Sequence, residues 1–187
     1  YIHDEIEPVD NLFISGGYRY DEVDYSFAPS TPNETNFDLN LFNAGINYKF
    51  YKESYVYFSF AEGFRYPVLD EMFHFFTHNF DTTLVPQNSD DYGLGVRHYF
   101  DQTFFAGVNL FRMDVSNEIF FNPTKGFFGA NDNMMGKARR EGVEIAIGKT
   151  FKHFDLRGNY TYTNPKVESG PFAGNGVPSV PKNMANF

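Results

Sequence analysis

Cysteine and tryptophan are both absent from the 187-residue sequence, and it contains no long apolar run. The lack of cysteine excludes disulfide frameworks, thiolate metal sites and cysteine nucleophiles. A membrane-spanning helix needs roughly 18 to 20 consecutive apolar residues, and no window approaches that length. The densest window, residues 55–61, is already interrupted by Ser59. A helical membrane protein is therefore excluded.

Positive charge is also scarce, because 15 Lys and Arg face 24 Asp and Glu and give a net charge of -9. Phosphate binding needs clustered Lys and Arg, so we expect no nucleic-acid partner. The sequence has no nucleophile elbow, phosphate loop or zinc-protease helix, so we expect neither an enzyme nor a resident cofactor. Because the chain starts at Tyr1 without Met or a signal peptide, we expect a mature or excised segment.

Aromatic residues are abundant instead, with 24 Phe and 13 Tyr, while the mean hydropathy stays at -0.43. The apolar residues alternate with small or polar ones, the period-2 pattern of strands with two different faces. This pattern predicts about seven strands, near residues 12–21, 42–50, 56–61, 94–98, 104–110, 143–148 and 156–163. Two partial strands are predicted at residues 1–7 and 182–187.

The predicted connections alternate in length along the chain. Short turns are predicted near residues 7–11, 51–54, 100–102 and 150–153. Long loops rich in Asn, Asp, Pro, Gly and Ser are predicted near residues 26–36, 65–88, 116–136 and 165–181. All long loops therefore open at one end of the sheet, as in outer-membrane barrels with short periplasmic turns and long extracellular loops. Soluble up-and-down barrels and sandwiches are less favoured by this layout.

Aromatic residues crowd the short-turn ends, at Tyr48 to Tyr55, Tyr99 to Phe105, and Phe151 with Phe154. Amphipathic rings at headgroup level explain this placement, whereas strand propensity alone does not explain the clustering by end.

Charged residues concentrate in the phase opposite the apolar one. Lipid contact would make charges costly, by about 2 to 4 kcal/mol near the bilayer midplane. We predict that one face of a continuous antiparallel meander carries Leu12, Ile14, Val56, Phe58, Val108, Val143, Ile145 and Leu156. The other face is predicted to carry Arg19, Lys49, Arg97 and Arg157, and a one-residue register error would invert the assignment.

Several segments, in order, resemble the barrel strands of TonB-dependent outer-membrane receptors. Residues 55–67 read YVYFSFAEGFRYP and residues 68–73 read VLDEMF, similar to that family's YASYSKGFRPP and TLDELF. Four further matches follow, at LVPQNSDDYGLGVRHYF, VNLFRMDVSNEIFF, the pair ARREGVEIAIGKTF and LRGNYTYTNPKV, and GVPSVPKNMANF. The sequence departs from the family pattern at Tyr66 and Gln87.

The resemblance implies an all-β antiparallel up-and-down meander of about 7–8 strands from a 22-stranded transmembrane barrel in the bacterial outer membrane. Residues 1–187 would then be a partial barrel without the N-terminal plug or the final strands. The implied partners are outer-membrane lipid, a ferric siderophore or other iron complex, and a TonB-type energy-coupling protein that acts through the missing plug. A small eight-stranded barrel is the alternative, since Phe187 resembles a terminal aromatic.

The loop at residues 65–88 carries the candidate binding residues. Arg65, Phe73, His74, His78 and, on a strand, Arg97 are the predicted substrate contacts, accompanied by the aromatics Phe75, Phe76 and Phe80. His74 and His78 could ligate one metal if the segment is helical, because positions i and i+4 share a face.

Haem-importing members of the family carry an axial His between an FRAP-like and an NPNL-like box, and here FRYP and NFDTTL enclose both His residues. Haem uptake is therefore one alternative to siderophore uptake, and ordinary loop histidines remain the simpler interpretation. A passive porin, a structural barrel or a soluble binding module would also be compatible with the strand pattern.

Overall fold

A computed structural model describes residues 1–27, 34–74 and 78–187. Nine strands form one sheet in chain order: β1 Ile2–Val9, β2 Leu12–Ser26, β3 Glu34–Tyr51, β4 Ser54–Arg65, β7 Gln87–Tyr99, β8 Phe104–Ser116, β11 Lys137–Thr150, β12 Asp155–Val167 and β13 Asn183–Asn186. Every neighbouring pair is antiparallel. The prediction of an up-and-down meander with seven full and two partial strands is confirmed.

Smaller elements lie in the long connections. Residues 66–86 contain a helical turn α1 Leu69–Met72 and the short strands β5 Phe73–His74 and β6 Asn79–Phe80, which pair. Residues 117–136 contain the hairpin of β9 Ile119–Asn122 and β10 Ala130–Asn133. In the described part of the chain, no helix is long and apolar enough to span a membrane.

The two ends of the sheet differ, as predicted. The short-turn end is formed by the links β1–β2, β3–β4, β7–β8 and β11–β12, where Asn11 and Lys52 adopt positive φ angles of 66° and 46°. The long-loop end carries the other connections. The strands β2 and β3 pair as far as Ser26 and Glu34, so the loop between them is shorter than the predicted residues 26–36. Its residues 28–33 lie outside the described ranges.

The cross-strand register separates the two faces. One row of partners joins Ile14, Ile46, Phe58, Leu94, Leu110, Val143 and Tyr162 across seven strands, and the next row joins Leu12, Tyr48, Val56, Val96, Val108, Ile145 and Tyr160. Direct partners point to the same side of a sheet, so these residues share one apolar face. Leu156 lies on it as well, as does its partner Lys149 at the short-turn end.

The opposite face, here called the polar face, carries Arg19, Lys49, Arg97 and Arg157, because each occupies the alternate phase of its strand. All four cations are therefore separated from Phe58 and Ile145, and the predicted division of the faces is confirmed. On β3 the apolar residues from Phe42 to Phe50 are exposed while the polar phase between them is half-buried. Such inverted burial is typical of a barrel wall that meets lipid outside.

The apolar face has a limited height. On β3 it runs from Phe42 to Phe50, about 26 Å along the strand at roughly 3.3 Å per residue. Above it, toward the long-loop end, the same face becomes charged at Glu62, Asp90 and Glu141. An apolar band of about 25 Å matches the hydrocarbon thickness that such walls cross.

The buried apolar side chains lie at the long-loop end rather than in the middle of the sheet. One cluster contains Phe27, Met72 and Leu84, with Tyr25 and Phe80 packed against it. A second contains Val115, Met134, Ala138, Val167 and Val177. These two small cores stabilise the long loops above the sheet.

Candidate functional site

Arg65 ends β4 and fixes the start of the following loop. Its Nη1 donates hydrogen bonds to both carboxylate oxygens of Glu71, at 2.9 and 2.8 Å, and the Val68 N–H donates to Glu71 Oε2 at 3.0 Å. Glu71 therefore caps the helical turn α1 and binds the guanidinium at the same time. The predicted contact residue Arg65 thus has an observed structural role at the long-loop end of the sheet.

Phe73 follows α1 in the short hairpin of β5 and β6. Its ring lies 5.3 Å from that of Phe80, its cross-strand partner, and 6.3 Å from the His78 ring, centroid to centroid. The Asp81 N–H donates to the Met72 carbonyl at 2.7 Å and closes this unit. The hairpin packs the Phe73 ring against Phe80 and leaves the Phe73 side chain 37% exposed.

His74 lies in the strand β5 and His78 in a turn, so neither belongs to a helix. The His78 N–H donates to the His74 carbonyl at 2.9 Å, and His78 has a φ of 53°. The helix α1 ends earlier, at Met72. The i and i+4 argument for a shared helical face therefore does not hold here, and metal or haem ligation by these two residues stays a prediction. Within residues 1–27, 34–74 and 78–187, no group of three or more His, Cys, Asp or Glu side chains could hold a metal ion. Phe75 and Phe76 lie outside those ranges.

A cavity of about 290 Å³ opens between the two long loops at residues 66–86 and 117–136. Phe73 and His74 line one side, and the hairpin of β9 and β10 contributes Phe121, Phe128 and Asn131. Glu71 and Asp81 line it as well. The cavity therefore combines aromatic rings, an imidazole and two carboxylates that other side chains already engage.

Lys125 joins the two loops beside this cavity, and its contacts with Asp81, Asp132 and Asn131 are here called the Lys125 clasp. Its Nζ donates to Asp81 Oδ2 at 2.9 Å, to Asp132 Oδ1 at 3.2 Å and to the Asn131 carbonyl at 3.0 Å. Burial opposes the charge on Asp81, but hydrogen bonds from Thr83 and Lys125 outweigh it and lower the pKa of that carboxyl. Burial likewise opposes the charge on Lys125, and its bonds to Asp81 and Asp132 raise the pKa of the amine.

Two asparagine side chains add further links between the same loops. Asn131 Nδ2 donates to the Glu71 carbonyl at 3.1 Å. Asn133 accepts from the Val85 N–H at 2.8 Å and donates to the Val85 carbonyl at 3.0 Å, which imitates a backbone pair. The hairpin of β9 and β10 is therefore hydrogen-bonded to the loop that carries Phe73 and His74.

Tyr66, where the sequence departs from the family pattern, ties three strands together. Its hydroxyl donates to Asp21 Oδ1 at 3.2 Å, and its ring lies 4.9 Å from Phe64 and 6.3 Å from Phe37. Burial, followed by the nearby Asp21 carboxylate, raises the pKa of Tyr66 to about 12. The phenol is therefore a neutral hydrogen-bond donor at physiological pH.

Arg97 lies far from the other predicted contacts. Gln87, the cross-strand partner of Arg65, precedes Arg97 by ten residues on β7, a separation of about 33 Å. The structure thus brings Arg65, Phe73, His74 and His78 to the long-loop end and leaves Arg97 near the short-turn end.

Lys125, Asp81 and Asn133 were not identified from the sequence as site residues. One signal was present, because Asp81 and Asn122 each precede a threonine by two residues and accept its N–H in a local turn. This pattern marks tight turns in the loops, but it does not show which loops meet.

Comparisons with known proteins agree with this architecture. A family model described as TonB dependent receptor-like, beta-barrel matches residues 1–187. The ferrichrome outer membrane transporter/phage receptor of Escherichia coli (strain K12) is 24% identical over 193 residues, which cover 100% of the chain and 24% of that protein.

Solved structures share the fold. The copper transporter OprC superposes with a TM-score of 0.74 at 14% identity, over 97% of the chain and 30% of OprC. The ferric-catecholate import receptor Fiu from K12 E. coli superposes with a TM-score of 0.69 at 19% identity, also over 97% and 30%. The chain therefore spans less than a third of the length of these three proteins.

Proposed function

The chain belongs to the TonB-dependent receptor-like β-barrel family of the bacterial outer membrane, and we propose that it supplies barrel wall and substrate-binding loops to an active importer of ferric siderophores. The observation that carries the proposal is the cavity between the two clasped loops, above the polar face of the sheet. Two of the three similar proteins, the ferrichrome transporter and Fiu, are named for iron complexes.

The chemistry of the cavity suits a chelated ferric ion. A siderophore surrounds the metal with oxygen donors and presents an organic exterior, which aromatic side chains such as Phe73, Phe121 and Phe128 can contact over a large area. No direct metal ligand from the protein is required for such a complex. His74 would then act through its ring surface or a hydrogen bond. In the haem alternative, His74 or His78 would be an axial ligand of the iron.

Active import also requires energy, which we propose comes from a TonB-type protein acting through a plug that fills the barrel. The polar face supports this part of the proposal, because an aqueous or protein-filled interior tolerates Arg19, Lys49, Arg97 and Arg157 at little cost. A passive porin would share this face but would need neither plug nor energy coupling.

Growth of a host without other iron receptors tests the proposal. The full-length gene is expressed with ferrichrome, a ferric catecholate or haemin as the sole iron source, with and without the energy-coupling protein. We expect energy-dependent growth on a ferric siderophore. Growth on haemin alone, lost in His74→Ala or His78→Ala, would support the haem alternative, and growth without energy coupling would contradict active import.

Variants at the cavity and at the opposite end of the sheet test where the siderophore binds. Phe73→Ala is expected to weaken binding of the supporting siderophore about tenfold, because it removes a partly exposed aromatic contact of the cavity. Phe154→Ala, an aromatic substitution at the opposite end of the sheet, is the matched control and should leave affinity unchanged. Equal affinities of the two variants would contradict the assignment of the cavity.

A further inference from the structure

The cations of the polar face differ between the two ends of the sheet. Toward the long-loop end each has a carboxylate partner, since Arg19 pairs with Asp21, Arg65 with Glu71 and Arg140 with Glu118. At the short-turn end, Arg97 and Arg157 have no carboxylate within ion-pair distance among the residues that the structure describes. Neither guanidinium forms an ion pair with a described residue, and Glu144, which lines a neighbouring cavity together with Arg97, instead accepts a hydrogen bond from Asn109 Nδ2 at 3.0 Å.

The two arginines line the same cavity, of about 310 Å³. The register shows how arginines three strands apart can line one cavity: Tyr99, Phe105, Gly148 and Arg157 form one row across β7, β8, β11 and β12. Arg97 lies two residues before Tyr99 on the same face of β7. The cavity, here called the arginine groove, is thus lined by Arg97, Tyr99, Phe105, Gly148 and Arg157, and Lys149, which pairs with Asp101, lies at its edge with residues of the adjacent turn.

Phe105 orients the Arg97 guanidinium. The guanidinium carbon lies 4.8 Å from the centroid of the Phe105 ring, a cation–π contact that uses the flat face of the group. The ring itself lies over Gly148, where a Cβ atom would come within 2.3 Å of Phe105 Cε1. Because Gly148 has no side chain, Phe105 can lie along the sheet and support Arg97. The N–H groups on the edge of the guanidinium are left to bind a ligand.

We propose that the arginine groove binds a carboxylate group, held by Arg97 and Arg157 together. A guanidinium presents paired N–H donors whose spacing matches the two oxygens of a carboxylate, and a second guanidinium adds charge from the other side. The carboxylate comes either from an acidic side chain elsewhere in the same polypeptide or from a solute inside the barrel. The proposal rests on the polar face being enclosed, as the proposed function implies, but not on the identity of the iron complex.

Succinate binding to the purified full-length receptor provides the first test, measured by isothermal titration calorimetry at low ionic strength. If the groove takes a solute, succinate binds saturably, and Arg97→Gln and Arg157→Gln each weaken binding at least tenfold. Arg97→Lys and Arg157→Lys keep the charge but lose the paired donors, so they should bind with intermediate affinity. Arg19→Gln is the matched control, because that guanidinium on the same face already has Asp21 as its partner.

Thermal unfolding of the same receptors tests whether the carboxylate comes from the polypeptide itself. If a carboxylate of the polypeptide occupies the groove, succinate does not bind the unmodified receptor. The double variant R97Q/R157Q then unfolds several degrees lower than the unmodified receptor at low salt, and the difference shrinks at high salt. Absence of succinate binding together with equal unfolding midpoints for the double variant and the unmodified receptor would overturn the proposal. Neither measurement uses an iron complex, so a failure of the proposed import function would not affect the result.

Discussion

Phe58 lies directly opposite Leu94 across the β4–β7 pair, and the two side chains are 43% and 50% exposed. On the other face of the same sheet, Asp91 Oδ1 and Asn109 Oδ1 are buried without a hydrogen-bond partner from the described residues. In water this arrangement would be unfavourable, because apolar side chains would be hydrated and polar atoms withheld from solvent. Lipid on the apolar side and a polar interior on the other side remove both costs.

A charge introduced on the apolar face should destabilise the barrel. We expect Phe58→Arg to lower the free energy of unfolding by about 2 to 4 kcal/mol, because the new guanidinium would lie in the hydrocarbon region. Urea titration of the full-length receptor refolded in lipid vesicles measures this change.

Ser59→Arg is the matched control for Phe58→Arg. Ser59 is the next residue, points to the polar face and is flanked by its partners Gly45 and Gly93, which leave room for a long side chain. Ser59→Arg should lower the free energy of unfolding by less than about 1 kcal/mol, since lumen substitutions need not place a charge in lipid. A reversed order of the two variants would show that the faces are wrongly assigned.

Ser54 is expected to contribute to stability at the short-turn end. It is fully buried, accepts a hydrogen bond from the Tyr99 N–H at 2.9 Å and is hydrogen-bonded to His98 Nδ1 at 2.9 Å. Ser54→Ala would remove the acceptor of this partly buried Tyr99 N–H, which costs about 1 to 3 kcal/mol. The same urea titration checks the value, with Ser59→Ala as the control. A loss no larger than that of the control would contradict the role assigned to this hydroxyl.

The Lys125 clasp should limit opening of the two loops. Loss of its charge-assisted bonds in Lys125→Met removes about 1.5 kcal/mol and should speed local opening about tenfold. Hydrogen–deuterium exchange of peptides covering residues 79–86 measures this rate in the full-length receptor. Lys152→Met, in a short turn at the other end, is the control. Unchanged exchange in Lys125→Met would show that the clasp does not hold the loops.

The pH range of the clasp follows from the pKa shifts of its members. The pKa of Asp81 is lowered, so its contribution is present above the ordinary value of 3.8 and is lost as the pH falls through the lower folded value. The pKa of Lys125 is raised, so its contribution is present below 10.5 and is lost as the pH rises through the higher folded value. We therefore expect the clasp to protect these amides, relative to their intrinsic exchange rates, from about pH 4 to pH 10.

Asp101 should titrate in strong acid. The Thr103 hydroxyl and N–H both donate to Asp101 Oδ1 at 2.6 Å, and with Lys149 they lower the pKa of this carboxyl to about 2. Its stabilising effect on the turn is therefore present above pH 3.8 and lost as the pH falls through about 2. The Thr103 amide shift in NMR spectra of the receptor should follow this titration and lose it in Asp101→Asn. A midpoint near 3.8 would contradict the turn geometry.

The strands could be predicted because their residues follow a simple physical period. Alternation at Phe42 to Phe50 or Leu156 to Tyr162 reflects two different environments on the two sides of one strand. In the upper part of β2 the two phases exchange character, since Glu22 and Asp24 take the phase that is apolar lower down and Val23 and Tyr25 take the polar one. Its extension to Ser26 therefore became visible only in the structure.

Two of the predicted contact residues line the loop cavity, and their role in binding a substrate stays a prediction. Phe73 and His74 were identified because aromatic and imidazole groups in a long loop suggest binding, and both line the cavity. The partner hairpin of β9 and β10 could not be predicted, because contacts such as Lys125 with Asp81 join residues 44 positions apart. Arg97 was grouped with the loop residues by chemistry alone, although the short turn predicted at residues 100–102 already placed it at the other end, as the register shows.

The most direct test of the barrel-wall assignment is spin-label accessibility along β11 in the full-length receptor in lipid vesicles. Single labels at Val143, Ile145 and Ile147 should be relaxed by oxygen, which concentrates in lipid, and shielded from a water-soluble nickel complex. Labels at Glu144 and Ala146 should show a lower oxygen-to-nickel ratio, so that the ratio alternates with a period of two along residues 143–147. A ratio that does not alternate, or one that alternates in the opposite phase, would contradict the lipid-facing wall.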